Sequence, residues 1–203
     1  MTGPRWHYAP TPIAVPGALL DAFEQLKAEA VLVGGSAVQV WVGQRDGIFA
    51  TGDLDFITHL AVSDLARAGI RVAEPLGRHV VVDGVPIEFP TGPLAVGDYV
   101  FAPGEATTEV PTMEGRPFLC LRPEASLLDR LAWVAGDQLE VAYAQAVGVA
   151  ACQYRQLEWD EAWLDTVATK ANLGKLWGHL KGDLASGAPG LSGLNRAMKI
   201  GWG

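Results

Sequence analysis

The sequence predicts an α/β fold (α+β in its ordering): a mixed sheet with flanking helices, then a C-terminal helical part, within 203 residues. Three observations point there. A short apolar run, AVLV (30–33), breaks at Gly34 and Gly35 and resumes with helical spacing. Strand-like runs and turn signals fill the chain to about residue 121. From Pro123 onward the apolar pattern is helical. The expected division is an α/β core over 1–121 and a helical region over 122–203 that ends in a loose, Gly-rich tail.

The first dozen residues, rich in proline and aromatics, read as an extended arm. PGALLDAFEQLKAEA follows as a helix with Pro16 near its start. AVLV is wholly apolar, as a strand buried on both faces would be. Ser36 to Gly43 reads as a buried helix, RDGIFATG as a loop and DLDFIT as a strand. SDLARAG is a surface helix with Ser63 as its expected N-cap. HVVVDGVPIEF is a hairpin turning at Asp83-Gly84, and RPFLCL closes the strand-rich half. PEASLLDRLAWVA opens the helical half with Pro123 and Glu124 in its first turn. LEVAYAQAVGVAACQ and DEAWLDTVATKANLGKLWGHLK continue it as helices. Trp159 with Trp163, and Leu173 with Trp177, are spaced one turn apart for core packing.

Composition narrows the function. At 49% hydrophobic residues the chain can bury a core, while its net charge is -8 with Lys and Arg scattered. A protein gripping nucleic acid through its backbone carries basic stripes, so bulk DNA binding is not expected; a small patch engaging one RNA end stays compatible. An acidic protein that handles phosphates must recruit a cation. Cys120 and Cys152 lie far apart in apolar surroundings and read as buried thiols of a reducing compartment. The start shows no apolar leader, and no run approaches the ~18 apolar residues of a membrane span. The expected location is cytoplasmic, without a membrane partner.

Asp53 and Asp55 straddle one leucine in a strand, which sends both side chains to the same face. They can be acids at a strand end pointing into water. Their apolar neighbours Leu54, Phe56 and Ile57 instead suggest a half-buried strand, where two like charges need a cation between them. Glu88 is the sole charge in VPIEF; it faces solvent if its strand is an edge, and joins the aspartates if its strand lies beside DLDF. Three carboxylates with open positions suit Mg²⁺, which binds through few carboxylates plus substrate phosphates. Two such ions about 3.5–4 Å apart can clamp a phosphoryl displacement.

Gly34 and Gly35 allow backbone to approach a ligand, and a helix starting near Ser36 would aim free N–H groups at it. The Ser36 hydroxyl can add a hydrogen bond to a phosphate oxygen. Taken alone, GGS reads as a tight strand-to-helix turn chosen for geometry. A dinucleotide-binding fingerprint fails, because GGSAVQ lacks G-x-G-x-x-G. His7, His59, His79 and His179 show no metal spacing, although His59 follows the strand of the doublet closely.

Together, VGGS (33–36), DLD (53–55) and IEF (87–89) resemble the polymerase-β-type nucleotidyltransferase superfamily, over roughly residues 16 to 90. Further on, LRPEASLLDRLAW resembles the helix opening of small prokaryotic members of the toxin–antitoxin and abortive-infection type. Those often read P-E-D and then D-R-L-A; Pro123, Glu124, Asp129 and Arg130 are kept, with Ala125 where an acid often stands. The loop at 43–52 is somewhat longer than in the shortest members.

The resemblance implies a nucleotidyltransferase fold and transfer of an NMP from an NTP to an acceptor hydroxyl. It implies two Mg²⁺ ions, with Asp53 and Asp55 on both and Glu88 on the catalytic one. Gly34, Gly35 and Ser36 would hold phosphates. Arg130, and less directly Lys170, could reach the triphosphate or acceptor; each also fits a structural role, Arg130 with Asp129 or Glu124. The acceptor can be an RNA end, a partner protein or a small molecule such as an aminoglycoside. An alternative is a catalytically weak nucleotidyltransferase-like binding or antitoxin partner protein.

Overall fold

A computed structural model describes residues 10–43, 47–71, 78–135, 139–153 and 160–186. Most of the N-terminal arm, the Gly-rich tail, His7 and Trp159 lie outside the described residues. Before the helical half the chain forms α1 (Gly17–Gln25), β1 (Ala30–Val33), α2 (Gly34–Val42), β2 (Leu54–Thr58), α3 (Val62–Arg67), β3 (His79–Val82) and β4 (Val85–Glu88). A small hairpin, β5 (Ala95–Val96) and β6 (Tyr99–Val100), precedes β7 (Thr107–Pro111) and β8 (Pro117–Leu121). Four helices complete it: α4 (Pro123–Ala135), α5 (Leu139–Gln153), α6 (Glu161–Lys170) and α7 (Gly174–Ala185).

The fold is mixed α/β. Six strands form one sheet in the order β3-β4-β2-β1-β8-β7. β1 runs antiparallel to β2 and parallel to β8, and β2 runs parallel to β4. All four residues of β1 are buried, as a wholly apolar central strand requires. The β3–β4 hairpin turns where Asp83 (φ 51) and Gly84 (φ 81) both adopt the left-handed region that its two-residue turn demands.

One buried cluster runs from Ile13 to Leu180, through sheet and helices alike. α2 packs on β1 and β2 and also on α4 and α5. Two long-range hydrogen bonds fasten it: Trp41 Nε1 donates to the Leu121 carbonyl (2.8 Å), and Gln153 Nε2 donates to the Trp41 carbonyl (2.5 Å). Leu173 and Trp177 are both buried, as their spacing predicts. Cys120 is buried, Cys152 is half-buried, and both are free thiols.

Four boundaries differ from the sequence reading. α1 ends at Gln25 rather than running toward β1, because the chain reverses through Lys27 at φ 49. α2 starts at Gly34, two residues before Ser36. Ser63 lies inside α3; the start of that helix is satisfied instead by the Asp64 carboxylate, which accepts the Ala61 N–H at 2.8 Å. The last helical pattern splits into α6 and α7, since Asn172 takes φ 59 and α7 then continues to Ala185. Local backbone conformation and capping decide these boundaries, left-handed at Lys27, Gly34 and Asn172, and side-chain periodicity alone does not report them. No helix among the described residues is long and apolar enough to cross a membrane.

Candidate active site

The geometry of the site follows from the register of three strands. Val33, the last residue of β1, sits opposite Asp55, and Asp55 sits opposite Glu88 in the parallel pair β2–β4. The end of the glycine turn, the doublet and the third acid therefore meet at one edge of the sheet. Asp53 lies one residue before β2, not within it, so the doublet is placed by the strand's entry as well as by alternation. Asp53, Asp55 and Glu88 each offer one carboxylate oxygen, and these lie within 4.8 Å of one another. Glu88 thus joins the aspartates rather than facing solvent away from them, while Ile87 and Phe89 on either side of it are buried.

Such crowding has an electrostatic signature. Burial, reinforced by Asp53 and Glu88, pushes the Asp55 carboxyl up to about 7, against an opposing pull from Arg130. Three half-buried oxygen donors at this separation form a hard, negatively charged donor set, which fits Mg²⁺ or a similar divalent ion.

The turn is built around Asp55. Gly34 has φ 66, and a Cβ placed on it would lie 2.3 Å from Asp55 Oδ2. At Gly35 the nearest side-chain atom to such a Cβ is Thr51 Cβ at 3.5 Å, an ordinary contact. Thr51 in turn donates to Asp53 Oδ1 at 2.9 Å. Ser36 is wholly buried: its hydroxyl donates to the Val33 carbonyl (3.0 Å) and accepts the Asp55 N–H (3.3 Å). The hydroxyl expected to meet a phosphate is engaged in tying the turn to the doublet.

The triad opens into a cleft of about 510 Å³. Its lining includes Gly34, Gly35, Gln145, Arg130 and Trp133, together with Arg78, Glu88, Pro90 and Thr91. Arg130 is buried, donates from Nε to Asp129 Oδ2 at 3.0 Å, and contacts Gln145 Oε1 through Nη1 at 3.4 Å. Its guanidinium sits over the Trp133 ring, 5.5 Å from the centroid. Arg130 therefore has the structural partner Asp129 and also faces the cleft. Lys170 and His59 do not line it. The Lys170 ammonium lies over the Tyr99 ring at 5.2 Å, and His59 borders a separate cavity of about 380 Å³.

Thr51, Arg78, Trp133 and Gln145 went unmarked in the sequence. The signal for Gln145 was available, as a single polar side chain within the apolar run VAYAQAVGVAA. Trp133 carries no signal in the sequence that sets it apart from other helical aromatics, and its exposure distinguishes it from the buried Trp41 and Trp177.

The sequence matches no protein-family model and no curated protein. Among solved structures, the chain is similar to the antibiotic-resistance factor ANT(2'')-Ia in solution, at 17% identity and a TM-score of 0.49, over 80% of this chain and 92% of that one. A crystal structure of ANT(2'')-Ia with adenylyl-2''-tobramycin matches at 19% identity and a TM-score of 0.43, over 68% and 94%. An antigenic nucleotidyltransferase-like protein from Paracoccidioides brasiliensis matches at 13% identity and a TM-score of 0.42, over 85% and 95%.

Proposed function

We propose that the protein is a Mg²⁺-dependent nucleotidyltransferase that moves an NMP from an NTP to an acceptor hydroxyl. The observation that supports this reading is the meeting of Asp53, Asp55 and Glu88 within 4.8 Å beside the Gly34–Gly35 turn. A solvated acidic patch needs neither a glycine shaped to a carboxylate nor a buried guanidinium lining the same cleft.

In the reaction, the acceptor oxygen bonds to the α-phosphorus and the bond from that phosphorus to the bridging oxygen breaks. Pyrophosphate leaves, and the hydroxyl proton passes to solvent. Asp53 and Asp55 would hold both ions and Glu88 the one nearer the acceptor. Divalent ions bound there would neutralise triphosphate charge and lower the pKa of the acceptor hydroxyl. The chain itself mostly positions. The backbone N–H groups at the start of α2 meet the β- and γ-phosphates, and the Arg130 guanidinium adds charge from the same wall. Ser36 contributes by holding the turn against Asp55.

The acceptor is an RNA end, a partner protein or a small molecule such as an aminoglycoside. The resemblance of residues 121–133 to toxin–antitoxin and abortive-infection members supports placing the protein in such a module. The test is to incubate it with α-labelled NTPs, Mg²⁺ and each acceptor class, beside Asp53→Ala and Asp55→Ala. Label should reach an acceptor in the wild type and not in the variants. No transfer together with no metal-dependent NTP binding by the wild type would overturn the reading. Metal-dependent binding without transfer would favour the catalytically weak, binding-partner alternative.

A further inference from the structure

Apolar surface is exposed at the rim of the candidate cleft, where a purely polar phosphate site has no use for it. Five large hydrophobic side chains are exposed among the described residues, and two of them, Trp133 (46%) and Val141 (52%), line this one cleft. Leu94 and Ala95 stand with them. A second hollow of about 340 Å³ opens beside it, lined by Ala95, Val96, Gly97, Asp129, Ala132 and Trp133. The two cavities share Ala95, Asp129 and Trp133, so the second is a side slot of the first, between α4 and the β5–β6 hairpin.

Position along the wall indicates what would enter the slot. Gln145 Nε2 lies 3.9 Å from a Cβ built on Gly35, and Gln145 Oε1 meets Arg130. The wall thus runs from the glycine turn through Gln145 to Arg130. Trp133 follows three residues later on α4, about one 5.4 Å helical turn away. Exposure rises along this line, from 8% at Arg130 to 46% at Trp133, so it leads from the floor of the cleft to its rim. A nucleotide with its phosphates on the turn and Arg130 would carry its base outward along the same line. The rest of the lining, including Glu88, Pro90 and Thr91, is left for an acceptor.

Resting on the nucleotidyltransferase reading, we propose that Trp133 is a stacking platform for the nucleobase of the NTP, and that the slot beside β5–β6 receives the base. An indole offers a flat apolar face to any base. The Arg130 guanidinium over one face of the ring would hold it in place while serving the phosphates, and the base would stack on the other face.

The experiment measures Mg²⁺-dependent binding of non-hydrolysable α,β-methylene analogues of the four NTPs, and of inorganic tripolyphosphate, with no acceptor present. Wild type, Trp133→Phe and Trp133→Ala are compared by calorimetry. Loss of one base–aromatic stack should weaken NTP-analogue binding by between about fivefold and a hundredfold in Trp133→Ala, with the phenylalanine variant close to wild type. Tripolyphosphate binding should be unchanged, because it has no base to stack. Equal losses for analogue and tripolyphosphate, or no loss for either, would overturn the platform while leaving the phosphate site standing. Failure of the wild type to bind analogue or tripolyphosphate with Mg²⁺ would instead remove the nucleotidyltransferase reading and the slot with it. A half-exposed side chain is less disruptive to truncate than a buried one, and a circular-dichroism melt of each variant confirms folding.

Discussion

Gly34 and Asp55 occupy each other's space: a Cβ on the glycine would lie 2.3 Å from the Oδ2 of the aspartate. The absence of a side chain at Gly34 is thus what lets the carboxylate reach the sheet edge where the triad meets. A positive φ of 66 adds a second demand for glycine at the same residue.

Gly34→Ala should therefore fail in two ways. The left-handed conformation costs about 1–2 kcal/mol for an alanine, which lowers Tm by roughly 2–8 °C in a chain of this size. Displacement of Asp55 should also abolish metal-dependent NTP binding. Gly35→Ala is the control for the fold, since it meets Thr51 at an ordinary 3.5 Å and has no positive φ. Thermal melts and nucleotide titration of the two variants separate strain from overlap; equal Tm losses would refute the assignment.

Asp55 sets a pH dependence of stability. Its carboxyl is raised to about 7 in the fold, chiefly by burial and then by Asp53 and Glu88, against 3.8 for the unconstrained group. A raised acid is favoured in its protonated form on folding, so its stabilising contribution is complete below about pH 4 and is lost as pH rises through about 7. Solvent reaches part of the site, so the effect is on the order of 1–2 kcal/mol after allowance for screening. Melts in chelator should show wild type losing stability relative to Asp55→Asn across that window, with Asp55→Asn the more stable at pH 8. Millimolar Mg²⁺ should raise the Tm of wild type and leave the variant unmoved. A wild-type advantage at pH 8 in chelator would count against the buried, crowded carboxylate.

Ser36 acts through its two hydrogen bonds, to the Val33 carbonyl and from the Asp55 N–H. Ser36→Ala removes the hydroxyl that this part-buried N–H donates to, at a cost of about 1 kcal/mol. The expected result is a lower Tm, with NTP-analogue affinity reduced less than in Gly34→Ala. Were the hydroxyl a direct phosphate ligand, affinity would fall while Tm stayed put.

Arg130→Lys tests the fork geometry. The guanidinium contacts Asp129, Gln145 and the Trp133 ring together, and an ammonium cannot reproduce that set. One charge-assisted contact is worth about 1.5–3 kcal/mol, so affinity for both NTP analogue and tripolyphosphate should fall roughly tenfold to a hundredfold. Parallel loss for both ligands would distinguish this residue from Trp133.

Local chemistry determined much from the sequence by itself. An all-apolar tetrapeptide made β1 a buried strand; Asp83-Gly84 marked a two-residue turn; Pro123 marked the start of α4. The three candidate acids were legible too, as two acids sharing a strand face and one acid alone in an apolar strand. Tertiary structure decided what depends on register and on exposure. Only the pairing of β2 with β4 brings Glu88 opposite Asp55. Only the packing of α2 on β1 and β2 turns the Ser36 hydroxyl inward, and only the placement of α4 and α5 sets Arg130, Gln145 and Trp133 along one wall. Periodicity reports which way a side chain points relative to its own helix or strand. It carries nothing about which other element lies opposite, because that is settled by burial of the whole core at once.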